Sequence, residues 1–553
     1  MYKLTLCLKY LLRRPLAYFA VFGVAVCVLM MLICVSILTG FVNKIEVAAK
    51  GLFSDVIVSS PSLGGVGRYD EFITRIKKEV PEVEDASPFI LTFGILQLPP
   101  TDFRKTVQVT GIRLPDRAAV SDFEKGLFVQ EGVAEPTFDP PESLVLNRLR
   151  QELVRTNAIL GRMRAKKDLR PSDQGLIERL ETAVGYQEMS YDYFVYDERA
   201  RRAIEDTRRR IEAAEQAGDD ELLMLLERRR AAYERQIILA PDRRAILGLG
   251  VAGLTFRTPE GETVRIVAPG QQIALTTIPL GRQISYTDIT PVTRTFTVID
   301  DCSTDVSSID SDIVYVPFDT LQRLNNMAAE YAPGDANVVV RPGRCSQIHV
   351  KVREEFSRGE ALVKVARKIQ DVWEVFHKQH PDASTTTVTV ETWRERQRNL
   401  LEQIGGQRVV MVIILGVIST VAVVLIFVIL YVIVIQKTRD IGVLKAVGAS
   451  NVGVAGIFLA YGGAIGLVGS ILGALGGSSF VWNINPIHDW VGRTFGFRVW
   501  SPENYMFAEI PNEVQPEAVA WIVGGAIFAG VFGALLPSVL AARRQPVEAL
   551  RYE

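Results

Sequence analysis

The residues of this chain that could do chemistry are few and scattered. His377 and His380 sit three apart before Pro381, a spacing that can ligate zinc, but no cysteine or acidic residue nearby completes a set. They read as a surface pair. Asp300, Asp301, Asp305, Asp310 and Asp312 offer oxygen ligands for calcium without the ordered spacing and glycine of an EF-hand loop, and read as a solvated loop between strands. Gly248 and Gly250 form a G-x-G that lacks the third glycine of a dinucleotide fingerprint. No G-x-x-x-x-G-K-[ST], G-x-S-x-G or H-E-x-x-H occurs, so the chain has no phosphate-cradling loop for ATP and no nucleophile or zinc-protease signature. No catalytic residue, metal site or resident cofactor is expected. Cys302 and Cys345 could pair in an oxidising compartment or stay free, and their spacing leaves both open.

Two other patterns have physical content. Residues 436–450 alternate charged and apolar side chains and meet Gly448 where a helix would stop. A short amphipathic helix there would bury Ile441, Leu444 and Val447 and present Lys437, Arg439 and Lys445. Farther on, Gly462, Gly466, Gly469, Gly473 and Gly477 leave one helix face nearly free of side chains, as helices that approach closely in lipid require. Gly525, Ala529 and Gly533 repeat the bias in a later helix.

The elements that must carry these patterns follow from hydropathy. The 553 residues are 48% hydrophobic, with a mean hydropathy of +0.17, and the apolar content is concentrated in four blocks. Residues 16–42, 409–435, 452–482 and 518–542 each approach or exceed the roughly 20 apolar residues that cross a bilayer. The first is too long for the apolar region of a cleaved signal peptide, roughly 7–15 residues. Lysines and arginines cluster before the first block (Lys3, Lys9, Arg13, Arg14), after the second (Lys437, Arg439, Lys445) and after the fourth (Arg543, Arg544, Arg551). The positive-inside rule makes those sides cytoplasmic, both termini included. Arg394, Arg396, Arg398 and Arg408 lie on the opposite side, on a region large enough to be translocated regardless. A net charge of −1 gives no basic field for nucleic acid.

The fold class expected is therefore an α-helical membrane protein with four transmembrane helices and a large α+β extracytoplasmic domain that carries a helical-hairpin or coiled-coil insertion. The expected domains are an N-terminal segment with the first span (1–42), the extracytoplasmic domain (43–408) and a permease-like block (409–553) with a small outer loop at 483–517. Within the outer domain, strands are expected at Val56–Ser60, Val107–Thr110, Thr263–Val267, Thr293–Asp300 and Ile313–Val316. Helices are expected at Tyr69–Val80, Phe318–Met327 and Glu360–His377. Residues 143–240 are rich in Arg, Glu, Leu and Ala, with Leu149, Leu153, Leu160 and Met163 at helical spacing and a break at Gly218-Asp219-Asp220. Their arginine triplets (Arg208–Arg210, Arg228–Arg230) are interspersed with acids and read as a solvated helix face.

The stretch Gln436-Lys437-Thr438-Arg439-Asp440-Ile441-Gly442-Val443-Leu444-Lys445-Ala446-Val447-Gly448-Ala449-Ser450 resembles the (E/K)xRDIG(I/V)L(R/K)AxGAS signature of ABC permeases of the MacB/FtsX-like superfamily. The ending Arg543-Arg544-Gln545-Pro546-Val547-Glu548-Ala549-Leu550-Arg551 is similar to that family's C-terminus. Leu11 to Phe41, Phe296–Asp300 with Ile313–Leu324, and Thr392 to Met411 resemble the lipoprotein-releasing branch, whereas 143–240 departs from it as an insertion. The resemblance implies a coupling helix that docks into a separate ATPase subunit, which would bind ATP and Mg. Its residues would be Lys437, Thr438, Arg439, Asp440, Ile441, Gly442, Leu444, Lys445 and Gly448, with Arg439 and Asp440 supplying polar contacts. It further implies two permease subunits, alike or different, in the bacterial inner membrane, in contact with lipid and passing motion to an outer domain that handles a lipoprotein or a periplasmic protein. An FtsX-like signalling subunit that regulates a cell-wall hydrolase is the alternative. A membrane-anchored enzyme would need a catalytic constellation that the sequence lacks.

Overall fold

The computed structural model describes residues 15–61, 64–99, 103–166, 171–236, 241–251, 255–258, 262–279, 290–304, 310–332, 335–384, 386–436, 438–495, 500 and 509–543. The chain forms two compact units. One comprises Met1–Glu46, Arg398–Trp500 and Glu509–Glu553, and the other Val47–Gln397 with Ser501–Ala508. In chain order the elements are α1 (Pro15–Phe53), β1 (Val56–Ser59), α2 (Tyr69–Glu79), β2 (Val83–Gln97), β3 (Arg104–Ile112) and α3 (Leu114–Val120). Next come α4 (Glu142–Arg164), α5 (Pro171–Ala217), α6 (Asp220–Gln236), β4 (Arg244–Gly248), β5 (Gln272–Thr277), β6 (Val292–Cys302) and β7 (Ile313–Pro317). The chain continues with α7 (Phe318–Leu324), β8 (Gln347–Val352), α8 (Gly359–Gln379), β9 (Thr389–Thr392), α9 (Arg398–Gln436), α10 (Thr438–Ala446), α11 (Asn451–Trp482), α12 (Ile484–Phe495) and α13 (Pro516–Arg543).

The α+β unit is built on one sheet, in the order β9-β1-β8-β2-β3-β7-β4-β6-β5, in which β5 pairs back onto β2. Six strands thereby close on themselves, and β9, β1 and β8 extend from the first half of β2. Strand β2 makes this possible through its 15 residues, pairing with β8 over Val83–Phe89, with β3 over Phe89–Gln97 and with β5 over Gly94–Gln97. At the closing point a Cβ on Gly94 would lie 2.8 Å from the carbonyl oxygen of Thr276, so the approach of β5 needs a residue with no side chain. Phe89, Ile112, Ile246, Ile299 and Tyr315 fill this core. Helix α8 places Leu362, Val365, Ala366, Ile369, Trp373 and Phe376 on one buried face, and Phe72 of α2 meets Trp373 and Phe376 with ring centroids 5.0 and 5.4 Å apart.

The Arg/Glu-rich stretch is three helices. Helices α4 and α5 pack through Ile159, Leu160, Met163, Leu180 and Ala183, and the turn at Gly218 (φ 71°) folds α6 back so that Leu226 meets Ile211 and Ala214. The arginine triplets follow expectation: Arg209 reaches Glu205 at 2.7 Å, Arg208 reaches Glu212 at 3.6 Å and Arg230 reaches Glu234 at 3.2 Å on their own helices.

The aspartate cluster corrects the sequence reading, since Asp300, Asp301 and Asp310 are buried rather than solvated. Asp300 accepts from the backbone N–H groups of Phe128 (3.1 Å), Val129 (2.7 Å), Gln130 (3.1 Å) and Asp301 (2.9 Å). Asp301 pairs with Arg265 at 2.6 Å, and Arg265 also reaches Glu152 of α4 at 3.5 Å and lies 3.8 Å above the Phe128 ring. Asp301 thus ties α4 to β6 through Arg265, while Asp300 holds the 128–130 backbone and Asp310 accepts from Thr304. Asp305 lies outside the described residues. Cys302 and Cys345 are both free and buried. The histidines are not a bare surface pair either: His377 stacks on Trp373, and the His380 ring packs against Phe376.

In the other unit, three helices among the described residues are long and apolar enough to cross a membrane, Tyr18–Lys44 within α1, Asn451–Trp482 and Pro516–Arg543. Helix α9 runs unbroken for 39 residues and contains 409–435. Five helices share one core: Val24 and Val28 of α1, Ile426 and Ile433 of α9, Ile441 of α10, Val454 and Ile465 of α11, and Ala534 of α13. The outer loop expected at 483–517 holds the 12-residue helix α12.

Candidate functional site

Helix α10 is described from Thr438, whose hydroxyl donates within reach of the carbonyls of Val434 (3.2 Å) and Ile435 (2.8 Å), four and three residues back in α9. Ile441, one turn on, is buried in the shared core, and Gly442 beside it is buried too. At the far end, Lys445 donates from Nζ to the carbonyl of Ala542 at 2.6 Å, a cation against the last described turn of α13. Thr438, Ile441 and Lys445 therefore form the inward face, at spacings of three and four. Gly448 ends the helix with φ 101°, and its N–H bonds to the Lys445 carbonyl at 3.0 Å. Ser450 then caps α11 by accepting from the N–H of Gly453 at 3.1 Å.

Two expectations for this helix are overturned. Val447 is 85% exposed rather than buried, and Val443 is exposed beside it. Lys445, expected on the outer face, is turned onto α13 instead. Lys437 and the side chains of Arg439, Asp440 and Leu444 lie outside the described residues, as do the N-terminal cluster Lys3, Lys9, Arg13 and Arg14, Cys7, and the C-terminal ending from Arg544.

The five stripe glycines of α11 divide between two neighbours. A Cβ on Gly462 would overlap that of Ala534 and come 2.6 Å from the Gly530 carbonyl oxygen, and one on Gly466 would lie 3.0 Å from that of Ala526, both on α13. On Gly469 it would lie 2.8 Å from Val24, on Gly473 2.5 Å from the carbonyl oxygen of Ala25, and on Gly477 3.3 Å from Leu29, all on α1. One small-residue stripe thus serves two seams, α11 to α13 in its first half and α11 to α1 in its second. Across the first seam Gly530 is the reciprocal glycine, 2.7 Å from the carbonyl oxygen of Gly462 by the same measure; the sequence reading passed it over. Gly533 faces Val423 and Ile426 of α9, whereas Gly525 meets nothing within 4 Å. Gly525 and Ala529 instead line an apolar cleft of about 370 Å³ with Val24, Cys27, Met31, Ile426 and Trp521.

The family model for the C-terminal domain of FtsX-like permeases matches residues 412–546. The chain is also similar to the lipoprotein-releasing system transmembrane protein LolC of Xylella fastidiosa, 30% identical over 164 residues, which are 30% of this chain and 40% of that protein. LolC of Neisseria meningitidis is 30% identical over 173 residues, 31% of this chain and 42% of the relative. LolE of Haemophilus influenzae is 25% identical over 115 residues, 21% and 28% of the two chains. The chain thus spans about 40% of the length of the LolC relatives named here. The resemblance carried by the 436–450 signature holds.

Proposed function

We propose, from the premise that this chain is an ABC permease of the MacB/FtsX-like kind, that it is the subunit which converts ATP hydrolysis by a separate ATPase into movement of its extracytoplasmic unit. Residues 409–435 of α9 would be the second of four spans, both termini would be cytoplasmic, and the membrane would be the bacterial inner membrane. The observation that carries the reading is the fastening of α10. Thr438 holds it to α9, Ile441 seats it in the bundle core, and Lys445 holds it to α13. A push on this helix is delivered to two long helices at once, as mechanotransmission requires. The ATPase would bind ATP and Mg and meet Arg439, Asp440 and the outward Val443 and Val447. A second permease subunit would complete the assembly. Lipid or lipoprotein release from the inner membrane suits the apolar cleft beside α1, α9 and α13, whose wall carries no charged residue.

An FtsX-like role in regulating a periplasmic partner is the second reading. Helix α6 favours it, because Leu222, Met224 and Leu225 are exposed beside the Gly218 turn, where a protein partner would find an apolar contact. Affinity co-purification of the detergent-solubilised chain tests the main reading, comparing wild type with the double charge reversal R439E/D440R. An ATPase subunit recovered with wild type and lost with the variant supports coupling through α10. Its absence from wild type under gentle conditions overturns it.

A further inference from the structure

Helix α12 occupies the connection between α11 and α13 and is too short, at 12 residues, to cross a bilayer that needs roughly 20. Its sequence also carries Asn485, His488 and Asp489. Its position is fixed by polar ties. Asn483 closes α11 by donating from Nδ2 to the Ser479 carbonyl at 2.8 Å, and α12 begins at the next residue with Ile484 buried. Asn485 then exchanges two hydrogen bonds with the backbone of Ile510, at 3.1 and 2.9 Å, and His488 Nε2 accepts from the N–H of Trp500 at 3.1 Å. The segment after Ile510 is tied in turn to α1: a Cβ on Gly40 would lie 3.0 Å from Pro511, and Asn43 donates to Glu513 at 2.6 Å. Helix α12 is thus pinned at the level of Gly40–Asn43 of α1, where α11 ends and α13 begins.

Its outer side is aromatic. Trp490 and Phe495 are 60% and 64% exposed and meet edge to face, with centroids 6.4 Å apart. Trp482 at the end of α11 and Trp521 near the start of α13 are exposed as well. Trp rings combine an apolar body with one N–H donor, and collect where hydrocarbon meets headgroups. A short helix with a polar side and exposed aromatics lies in that layer rather than spanning it.

We propose that α12 is an interfacial helix seated among the headgroups of the outer leaflet, with Trp490 and Phe495 in contact with lipid. The proposal rests on the reading that the bundle spans the membrane. The test uses the full chain in nanodiscs of phosphatidylcholine brominated either near the headgroup or deep in the acyl chains, with W482F, W490F and W521F read against wild type. The fluorescence component lost in W490F is expected to be quenched by the shallow bromines more than by the deep ones, and to be shielded from aqueous iodide. If the Trp482 and Trp521 components are quenched by brominated lipid while that of Trp490 responds only to iodide, or to neither quencher, the inference is overturned and water or a protein covers the helix. If no component responds to brominated lipid, the spanning reading itself fails.

Discussion

The glycines of α11 and α13 make a prediction whose sign changes with position. Alanine at position 462 would put a methyl group against Ala534 and 2.6 Å from the Gly530 carbonyl oxygen. One obstacle is a helix backbone, so no rotamer change relieves the contact and α13 must move as a body. Overpacking of this kind costs about 1–3 kcal/mol. Alanine is favoured over glycine inside a helix by roughly 0.5–1 kcal/mol, which offsets part of the cost. The balance is a loss of up to about 2.5 kcal/mol for G462A. At Gly525, where nothing lies within 4 Å, only the propensity remains, and G525A should stabilise by about 0.5–1 kcal/mol. Thermal unfolding of the detergent-solubilised chain, followed by intrinsic fluorescence, compares the two against wild type. Equal midpoints for G462A and G525A, or a rise for both, would refute the close seam.

Replacing Arg265 by Ala strands the buried carboxylate of Asp301 and leaves Glu152 with only Arg155, a loss of about 3–5 kcal/mol by analogy with other broken buried pairs, and should appear as faster hydrogen exchange across α4 and the Thr255–Arg265 hairpin. Burial, and then the neighbouring Asp301 charge, push the Asp300 carboxyl up to about 7 from an ordinary 3.8, against the backbone N–H groups that favour its ionised form. The folded state holds that proton over a range in which the unfolded chain has released it, so the Asp300 contribution to stability is full below about pH 4 and is lost as pH rises towards 7. Unfolding of wild type and D300N across that range checks it; an unchanged slope in the variant would rule Asp300 out as the source. K445M removes the cation from the end of α13 and should cost about 1.5–3 kcal/mol, with K445R restoring most of it in the same melt.

Where periodicity is local, the sequence was readable. The helix at Tyr69, the helix at Gly359 and the break at Gly218 all declare themselves through apolar spacing or a glycine. The closed sheet does not, because closure depends on β2 pairing with β5 about 180 residues away, and the clue is one glycine, Gly94, inside an apolar run. The acidic cluster misled for a related reason. Charge density at 300–312 looks like a solvated loop until the partners are known, and those partners, Arg265 and the 128–130 backbone, come from distant parts of the sequence. The small-residue stripe was visible, but its division between α13 and α1 was not, since five glycines at helical spacing carry no mark of which neighbour each will meet.

The inward face of α10 shows how a correct motif can be read with the wrong phase. Ile441, Leu444 and Val447 are apolar at spacings of three, which suggests one buried stripe. At about 100° per residue, however, Val447 lies roughly 120° around the helix from Ile441, while Thr438 and Lys445 fall close to it. The competition is then between burying Val447 and satisfying the carbonyls that end α13. An unpaired buried backbone carbonyl costs about 1–3 kcal/mol, comparable with burying a valine at about 1.5–3 kcal/mol, and a lysine on a helix C-terminus adds a favourable charge term. Lys445 reaches those carbonyls through a flexible apolar stem that also covers part of the seam. The consequence bears on docking: Val443 and Val447 are left exposed, so under the proposed function a partner ATPase would meet an apolar pair on this helix. Replacing Val443 and Val447 together by Ser should leave the melting midpoint of the isolated chain unchanged while weakening recovery of the ATPase; a large drop in the midpoint would instead return Val447 to the core.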